Sequence, residues 1–339
     1  MTSPIEVLIT LPFSDELVTR LRNVSDRLKI TCINPRKAED IPEDVWRRSE
    51  ILYTHRILPA PEQAPHLRWI QFHYAGIDRY VDDPIFKNPN LIITTLSGTS
   101  ASQMAEYAVM MCLALGHRLP NLTAYQMRAE WPSDRWDRFS PQELRGSTVG
   151  IVGYGSIGRQ VARLLCEFGA TVLATKRDAM HTEDNGYIPE GQGDPGGDFV
   201  QRLYPGEALR SMLKECDFVV ITVPLTPNTH GCFGAPELDA MKPTALLVNT
   251  ARGEIVDQLA LLEALRNHKI AGAALDVFTE EPLPTDDPLW KLPNVLITPH
   301  ISGVTVHYDE RAIDLFSENL TRYLAGLPLF NRFNPEQGY

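Results

Sequence analysis

The sequence predicts an α/β protein with two doubly wound, mostly parallel sheets, and three observations carry that prediction. Short apolar, β-branched runs alternate with helical patterns along most of the chain. They fall into two series, and 339 residues exceed what one hydrophobic core usually organises. The runs of the second series are almost continuously apolar, as parallel strands covered on both faces are.

The first series opens with "IEVLIT" and continues through "ILYTH" (Ile51–His55), "LRWIQFH" (Leu67–His73) and "LIITTL" (Leu91–Leu96). A long helical pattern follows Glu106, and then a polar segment, "RAEWPSDRWDRF" (Arg128–Phe139). The second series comprises "STVGIVG" (Ser147–Gly153), "TVLAT", "FVVITVP" (Phe218–Pro224), "ALLVNTA" (Ala245–Ala251), "GAALDVF" (Gly272–Phe278) and "NVLITPH" (Asn294–His300). Near the end, Ile313, Phe316, Leu320 and Leu324 form one helical stripe. That helix comes after the second sheet is complete, so it is expected to return to the first domain. Between "VLATKR" and "MLKECDFVV", the stretch Glu183–Phe199 holds five glycines and two prolines and reads as a surface loop.

Bulk properties exclude several functions. A formal charge of -11 argues against general nucleic-acid affinity, which needs a basic face. The most apolar run, Tyr107–Gly116, is too short to span a bilayer. "MTSPIEVLITLPF" lacks the basic start and long apolar core of a signal peptide, so a cytoplasmic location is expected. The five cysteines are odd in number, widely spaced and without a CxxC, which suits reduced core thiols rather than disulfides or a metal site.

The turn Gly153-x-Gly155-x-x-Gly158 follows an apolar strand and opens the helical pattern "RQVARLLCEFG". Glycines there let a backbone approach a pyrophosphate, which the helix N-terminus then meets with free N–H groups and partial positive charge. A dinucleotide site of this kind usually carries an acid about 20 residues on, to accept the ribose 2′-OH. Lys176 and Arg177 stand there instead. Cations at that strand end favour a 2′-phosphate, each charge-assisted bond being worth ~1.5–3 kcal/mol, or about 10- to 100-fold in affinity. NADP(H) preference is therefore expected, with NAD use possible; Asp178 would oppose it only by turning inward.

Three residue types recur at strand ends of the second series: Arg252 in "NTARGEIVD", Asp276 and Glu281 in "LDVFTEEPL", and His300 in "LITPHISG". Ligands of open α/β sheets bind at the carboxyl ends of strands, so these residues are expected to converge. In these motifs the chain resembles the D-isomer-specific 2-hydroxyacid dehydrogenases. "ELRGSTVGIVGYGSIG", "VPLTPNTHG", "VNTARGEIVD", "AALDVFTEEPLP" and "LPNVLITPHISG" carry the likeness densely from Glu143 to Gly303. "HYAGIDRY" and "SASQMAEYAV" extend it into the first series.

The resemblance implies a discontinuous, flavodoxin-like substrate domain (1–116 with 305–339) and an inserted Rossmann cofactor domain (117–304). It implies that His300 exchanges the proton on the substrate oxygen, that Glu281 favours and orients its imidazolium, and that Arg252 polarises the carbonyl and pairs with the substrate carboxylate. Of the two adjacent acids, the one directly before proline, Glu281, fits the pattern. Backbone N–H groups of Ala75, Gly76 and Ile77 would hold the carboxylate, with Arg252 and His300. The implied cofactor contacts begin with Met104, Gly153, Gly155, Ser156, Ile157, Gly158, Thr175, Lys176 and Arg177. They continue with Val223, Pro224, Thr229, Thr250, Ala251, Arg252, Asp276, His300 and Gly303, Asp276 meeting the nicotinamide carboxamide or tuning the site. No metal is required.

The expected activity is reduction of a short 2-oxo acid, such as glyoxylate or hydroxypyruvate, to its D-2-hydroxy acid. The alternatives are an NAD-dependent dehydrogenase of another acid (phosphoglycerate- or lactate-like) and a cofactor-sensing corepressor-like binding protein. Glu281 speaks against a formate dehydrogenase, whose relatives carry Gln before that proline. The remaining eight histidines are given no role, and Arg56 in "YTHRILP" is read as an exposed charge, with a second anionic substrate group as its alternative. The tryptophan-bearing segment around Trp131 and Trp136 is the expected arm of a homodimer.

Overall fold

The computed structural model describes residues 3–184, 186–335 and 338, and these form two compact units. Residues 1–99 with 305–339 make the first and residues 100–304 the second.

The first unit holds a parallel sheet of β1 (Ile5–Ile9), β2 (Leu28–Cys32), β3 (Ile51–Thr54), β4 (Trp69–Phe72) and β5 (Ile92–Thr94), in the order β2-β1-β3-β4-β5. This is the flavodoxin-like order. β3 and β4 are buried at every residue, which is why they read as unbroken apolar runs. β2, at the edge, exposes Lys29 and Cys32 and went unpredicted. The helix Tyr308–Leu324 closes the chain on this sheet, burying Ile313, Phe316 and Leu320 among Ile9, Tyr53 and Trp69.

The second unit holds seven parallel strands: β6 (Thr148–Val152), β7 (Thr171–Thr175), β8 (Arg202–Tyr204), β9 (Phe218–Ile221), β10 (Leu246–Asn249), β11 (Gly272–Leu275) and β12 (Val295–Ile297). Their order, β12-β11-β10-β9-β6-β7-β8, runs outward both ways from β6 and β9. The crevice of a doubly wound sheet lies at that switch, over the carboxyl ends of β6 and β9.

The first crossing between units falls after Thr99, not after residue 116 as expected. The helix Ala101–Gly116 buries Ala105, Ala108, Val109, Cys112 and Leu115 against Val149, Ile151 and Val161, so its apolar face belongs to the second core. The connection from β7 to β8 contains no helix among its described residues, Asn185 lying outside them. It is not a plain surface loop, because Gly193 and Asp194 are buried.

Candidate active site

Each glycine of the turn after β6 has its own steric reason. Gly153 has φ +106°, and a Cβ there would stand 2.6 Å from Val223 Cγ1. A Cβ at Gly158 would lie 2.2 Å from the Gly153 carbonyl oxygen, so the helix Ser156–Glu167 seats on its strand only without one. Gly155 differs: no heavy atom lies within 4 Å of its Cβ position, which leaves open space over the helix start. Tight turn, open approach and close helix packing are what a pyrophosphate-binding turn needs. Ser156 opens that helix, and Ile157 is half-buried against the core behind it.

Around the turn, several expected contacts hold the frame. Thr175 is buried and its Oγ1 accepts the Gly153 N–H at 3.1 Å. Val223 is half-buried against Gly153 and Pro224 is exposed. Thr229 Oγ1 donates to the Pro224 carbonyl at 2.6 Å and accepts from Thr226 N at 2.8 Å, closing that second turn. Met104 is half-buried on the helix Ala101–Gly116, and Gly303 accepts from Gln103 Nε2 at 3.0 Å through its carbonyl. The Thr250 hydroxyl, just after β10, is buried with no hydrogen-bond partner among the described residues. That orphan and the space over Gly155 fit a dinucleotide along the strand ends.

At the end of β7, Lys176 Nζ donates to the carbonyls of His181 and Glu183, the latter at 3.1 Å. Arg177 is exposed. Asp178 is exposed, and His181 Nδ1 lies 2.6 Å from its carboxylate and holds the carboxyl below its usual range.

The acid–base group is built from β10, β11 and β12. Asn249 ends β10 and bonds on both sides of the turn, to Ala251 N at 3.1 Å and to the Arg252 carbonyl at 3.1 Å. Ala251 is buried, and half-buried Arg252 donates from Nη1 to the Ala251 carbonyl at 2.8 Å. Asp276, 1% exposed, follows β11. Its Oδ1 accepts from Ile301 N at 2.9 Å, Thr298 Oγ1 at 2.7 Å and Tyr107 Oη at 3.4 Å; its Oδ2 accepts from Ser302 N at 2.8 Å. Both oxygens of Asp276 therefore hold the loop that carries His300.

His300 occupies the left-handed region at φ +53°, uncommon for a residue with a Cβ. Its N–H donates to the Asp276 carbonyl at 2.8 Å, so Asp276 fixes this conformation from main chain and side chain together. The ring's Nδ1 lies 2.7 Å from Glu281 Oε2, and Glu281 Oε1 accepts the Phe278 N–H at 3.0 Å. A carboxylate only accepts, so the proton of that contact sits on Nδ1 and Nε2 is left for a reacting group. Glu281, not Glu280, makes the contact, as the proline rule indicated.

In the first unit, Ala75 and Gly76 are exposed and Ile77 is buried in the loop after β4. Backbone bonds pin that loop, His73 N to Thr54 O at 2.8 Å and Leu96 N to Tyr74 O at 3.0 Å. His73 anchors it from inside. Its Nδ1 meets Tyr53 Oη at 2.8 Å, Tyr308 Oη donates to its carbonyl at 2.8 Å, and burial pushes its pKa down to about 4, keeping the ring neutral. Arg56 is exposed.

The structure thus joins Asp276, Glu281 and His300 by direct bonds, and reaches Arg252 through Gly253, whose Cα sits on the Phe278 backbone. Sequence reasoning missed Tyr107, Thr298 and Gly253. Only "Tyr" in an otherwise apolar helical run hinted at the first, since a half-buried hydroxyl seeks a partner.

Comparison with known proteins agrees with this geometry. Residues 109–302 match the model of the D-isomer specific 2-hydroxyacid dehydrogenase NAD-binding domain. Glyoxylate reductase of Thermococcus litoralis is 34% identical over 269 residues, 78% of this chain and 76% of that protein. The crystal structure of a D-isomer specific 2-hydroxyacid dehydrogenase from Xanthobacter autotrophicus, in complex with NADPH and MES, superposes with a TM-score of 0.81 at 26% identity, over 100% of both chains. An NADPH-dependent glyoxylate/hydroxypyruvate reductase from Sinorhizobium meliloti, in complex with NADP and sulfate, gives 0.76 at 25% identity over 99% of this chain and 100% of that one. Sequence, fold and site together place this chain in the D-isomer specific 2-hydroxyacid dehydrogenase family.

Proposed function

We propose that this chain reduces a short 2-oxo acid of the glyoxylate or hydroxypyruvate type to its D-2-hydroxy acid, with NADPH as the preferred cofactor. The observation that carries the reading is the 2.7 Å contact between His300 Nδ1 and Glu281, with Glu281 itself fixed by Phe278 N–H. An imidazole held by a carboxylate on one nitrogen is oriented to deliver a proton from the other. His300 Nε2 then gives its proton to the carbonyl oxygen and recovers it in the reverse direction. Arg252 offers a planar guanidinium to that oxygen and to the substrate carboxylate. The N–H groups of Ala75, Gly76 and Ile77 are the proposed further donors to the carboxylate. The nicotinamide, when bound, supplies the hydride, and Gly153, Gly155 and Gly158 are the proposed seat of the dinucleotide's pyrophosphate.

Support for NADPH comes from the end of β7. Arg177 is exposed there, the described residues take two of the three ammonium donors of Lys176, and Asp178 is engaged by His181. The test is kcat/KM for NADPH and NADH, with glyoxylate and hydroxypyruvate each saturating. A tenfold or larger advantage for NADPH is expected, the size of one charge-assisted phosphate contact. NADH preference would overturn the cofactor assignment. Turnover with neither acid would overturn the substrate class and direct assays to phosphoglycerate- and lactate-like acids.

A homodimer is part of the proposal. Trp131, Met127 and Trp136 are 85%, 81% and 75% exposed in the segment between the helix Ala101–Gly116 and β6, and apolar surface of that kind is covered in interfaces. Sedimentation at micromolar concentration is expected to give twice the 38.1 kDa chain mass; a monomer would remove the claim. All five cysteines are free thiols, which supports a reducing, cytoplasmic setting.

A further inference from the structure

We infer that the segment from Thr182 to Phe199 is a cofactor-selectivity element, and that Arg159 is the positioning residue that fixes it and, through it, Lys176. The inference rests on the NADPH reading above.

Arg159 directly follows Gly158 on the dinucleotide helix and is 1% exposed. A guanidinium out of water is costly unless acceptors and negative charge surround it. Every polar partner that the described residues give this one comes from the segment. Nη1 donates to the Asp194 carbonyl, Nη2 to the Thr182 carbonyl, and Nε lies 3.4 Å from the Asp184 carboxylate. The group stacks on the Tyr154 ring at 4.7 Å. Asp194 is the matching anchor on the other side. Its carboxylate accepts from Gly197 N at 3.1 Å, Asp198 N at 2.8 Å, Phe199 N at 3.1 Å and from the Tyr154 hydroxyl. Gln160 adds a bond from Gly193 N at 2.6 Å. A crossover helix could not serve this way, because its carbonyls are spent on its own N–H groups. The irregular chain keeps carbonyls free for cations.

The same segment, with the residue just before it, grips Lys176. The carbonyls of His181 and Glu183 take two of the ammonium's donors, which immobilises a four-carbon stem that would otherwise lose its freedom on binding. Burial, and then the positive charge of Arg159, push the Lys176 pKa down. The charges of Asp184, Asp178 and Glu183 act the other way. Loss of Arg159 frees the segment, and Lys176 then loses its fixed aim.

The test measures the ratio of kcat/KM for NADPH to that for NADH, in which the folded fraction of a preparation cancels, and, without turnover, the ratio of NADP+ to NAD+ affinity by equilibrium titration, which is expected to move in parallel. Wild type, Arg159→Met, Lys176→Met and the double variant are compared. Arg159→Met is expected to lower the ratio about fivefold, through a higher KM for NADPH and not through kcat, a part of the 10- to 100-fold that one phosphate contact supplies. In the Lys176→Met background it should lower the ratio no further, because a residue acting only through another shows no separate effect. An unchanged ratio in Arg159→Met, or additive effects in the double variant, would overturn the inference while leaving NADPH preference intact. Where Arg159→Met gives no folded protein, Asp184→Asn weakens the same anchor, and an unchanged ratio there overturns it equally. A wild type that prefers NADH overturns the NADPH reading itself, and this inference with it.

Discussion

His300→Asn is expected to lower kcat by about 10²- to 10⁴-fold, the range of a general acid–base contribution, while titration shows the cofactor still bound. Asparagine is the informative replacement because of the backbone. His300 sits at φ +53°, and asparagine tolerates the left-handed region better than alanine does. The variant keeps the bonds from Asp276 to Ile301 and Ser302, since they involve main chain, and removes only the titrating ring. The carboxamide can still donate a hydrogen bond to a carbonyl oxygen but cannot release a proton to it at neutral pH. A kcat within threefold of wild type would show that the proton comes from elsewhere and would dissolve the role of the Glu281–His300 pair.

How much of this was legible depends on whether the cause is local. Arg252 and His300 stand at the ends of apolar runs, where position in sequence points to them, while Glu281 and the roles of all three came from the family resemblance. β2 and β8 are edge strands, three or five residues long with exposed polar positions, and carry too little pattern to read. The helix Ala101–Gly116 showed its apolar face but not which core that face enters. Asp276 was legible as a site residue and not as a clamp, because its donors come from residues 107, 298, 301 and 302. The glycine-rich stretch before β8 read as surface loop on composition, and Arg159 carried no reading of its own in the helical pattern after the turn. Each is buried only because the other is there, and such reciprocity leaves no period in the sequence.

Gly253→Ala is the strongest test of that long-range construction, since it adds one methyl group and replaces no titrating side chain. A Cβ at Gly253 would stand 1.9 Å from the carbonyl carbon of Phe278, 2.3 Å from its oxygen and 2.3 Å from Thr279 N. These are backbone atoms, so no rotamer change relieves the overlap. The chain after β11 must move away from the turn after β10, or Arg252 must move with its own backbone. In the first case Phe278 N–H leaves the position from which it holds Glu281 at 3.0 Å, and Glu281 no longer aligns His300; in the second Arg252 loses its own placement. Overpacking in a well-filled interior costs about 1–3 kcal/mol, so the melting temperature should fall by several degrees. The catalytic loss should be larger than the stability loss explains, about 10²-fold in kcat, because small displacements of oriented groups weigh heavily on rate. A folded variant with wild-type kcat would mean that the Phe278 backbone yields without carrying Glu281 along. The acid–base pair would then owe its alignment to Asp276 alone.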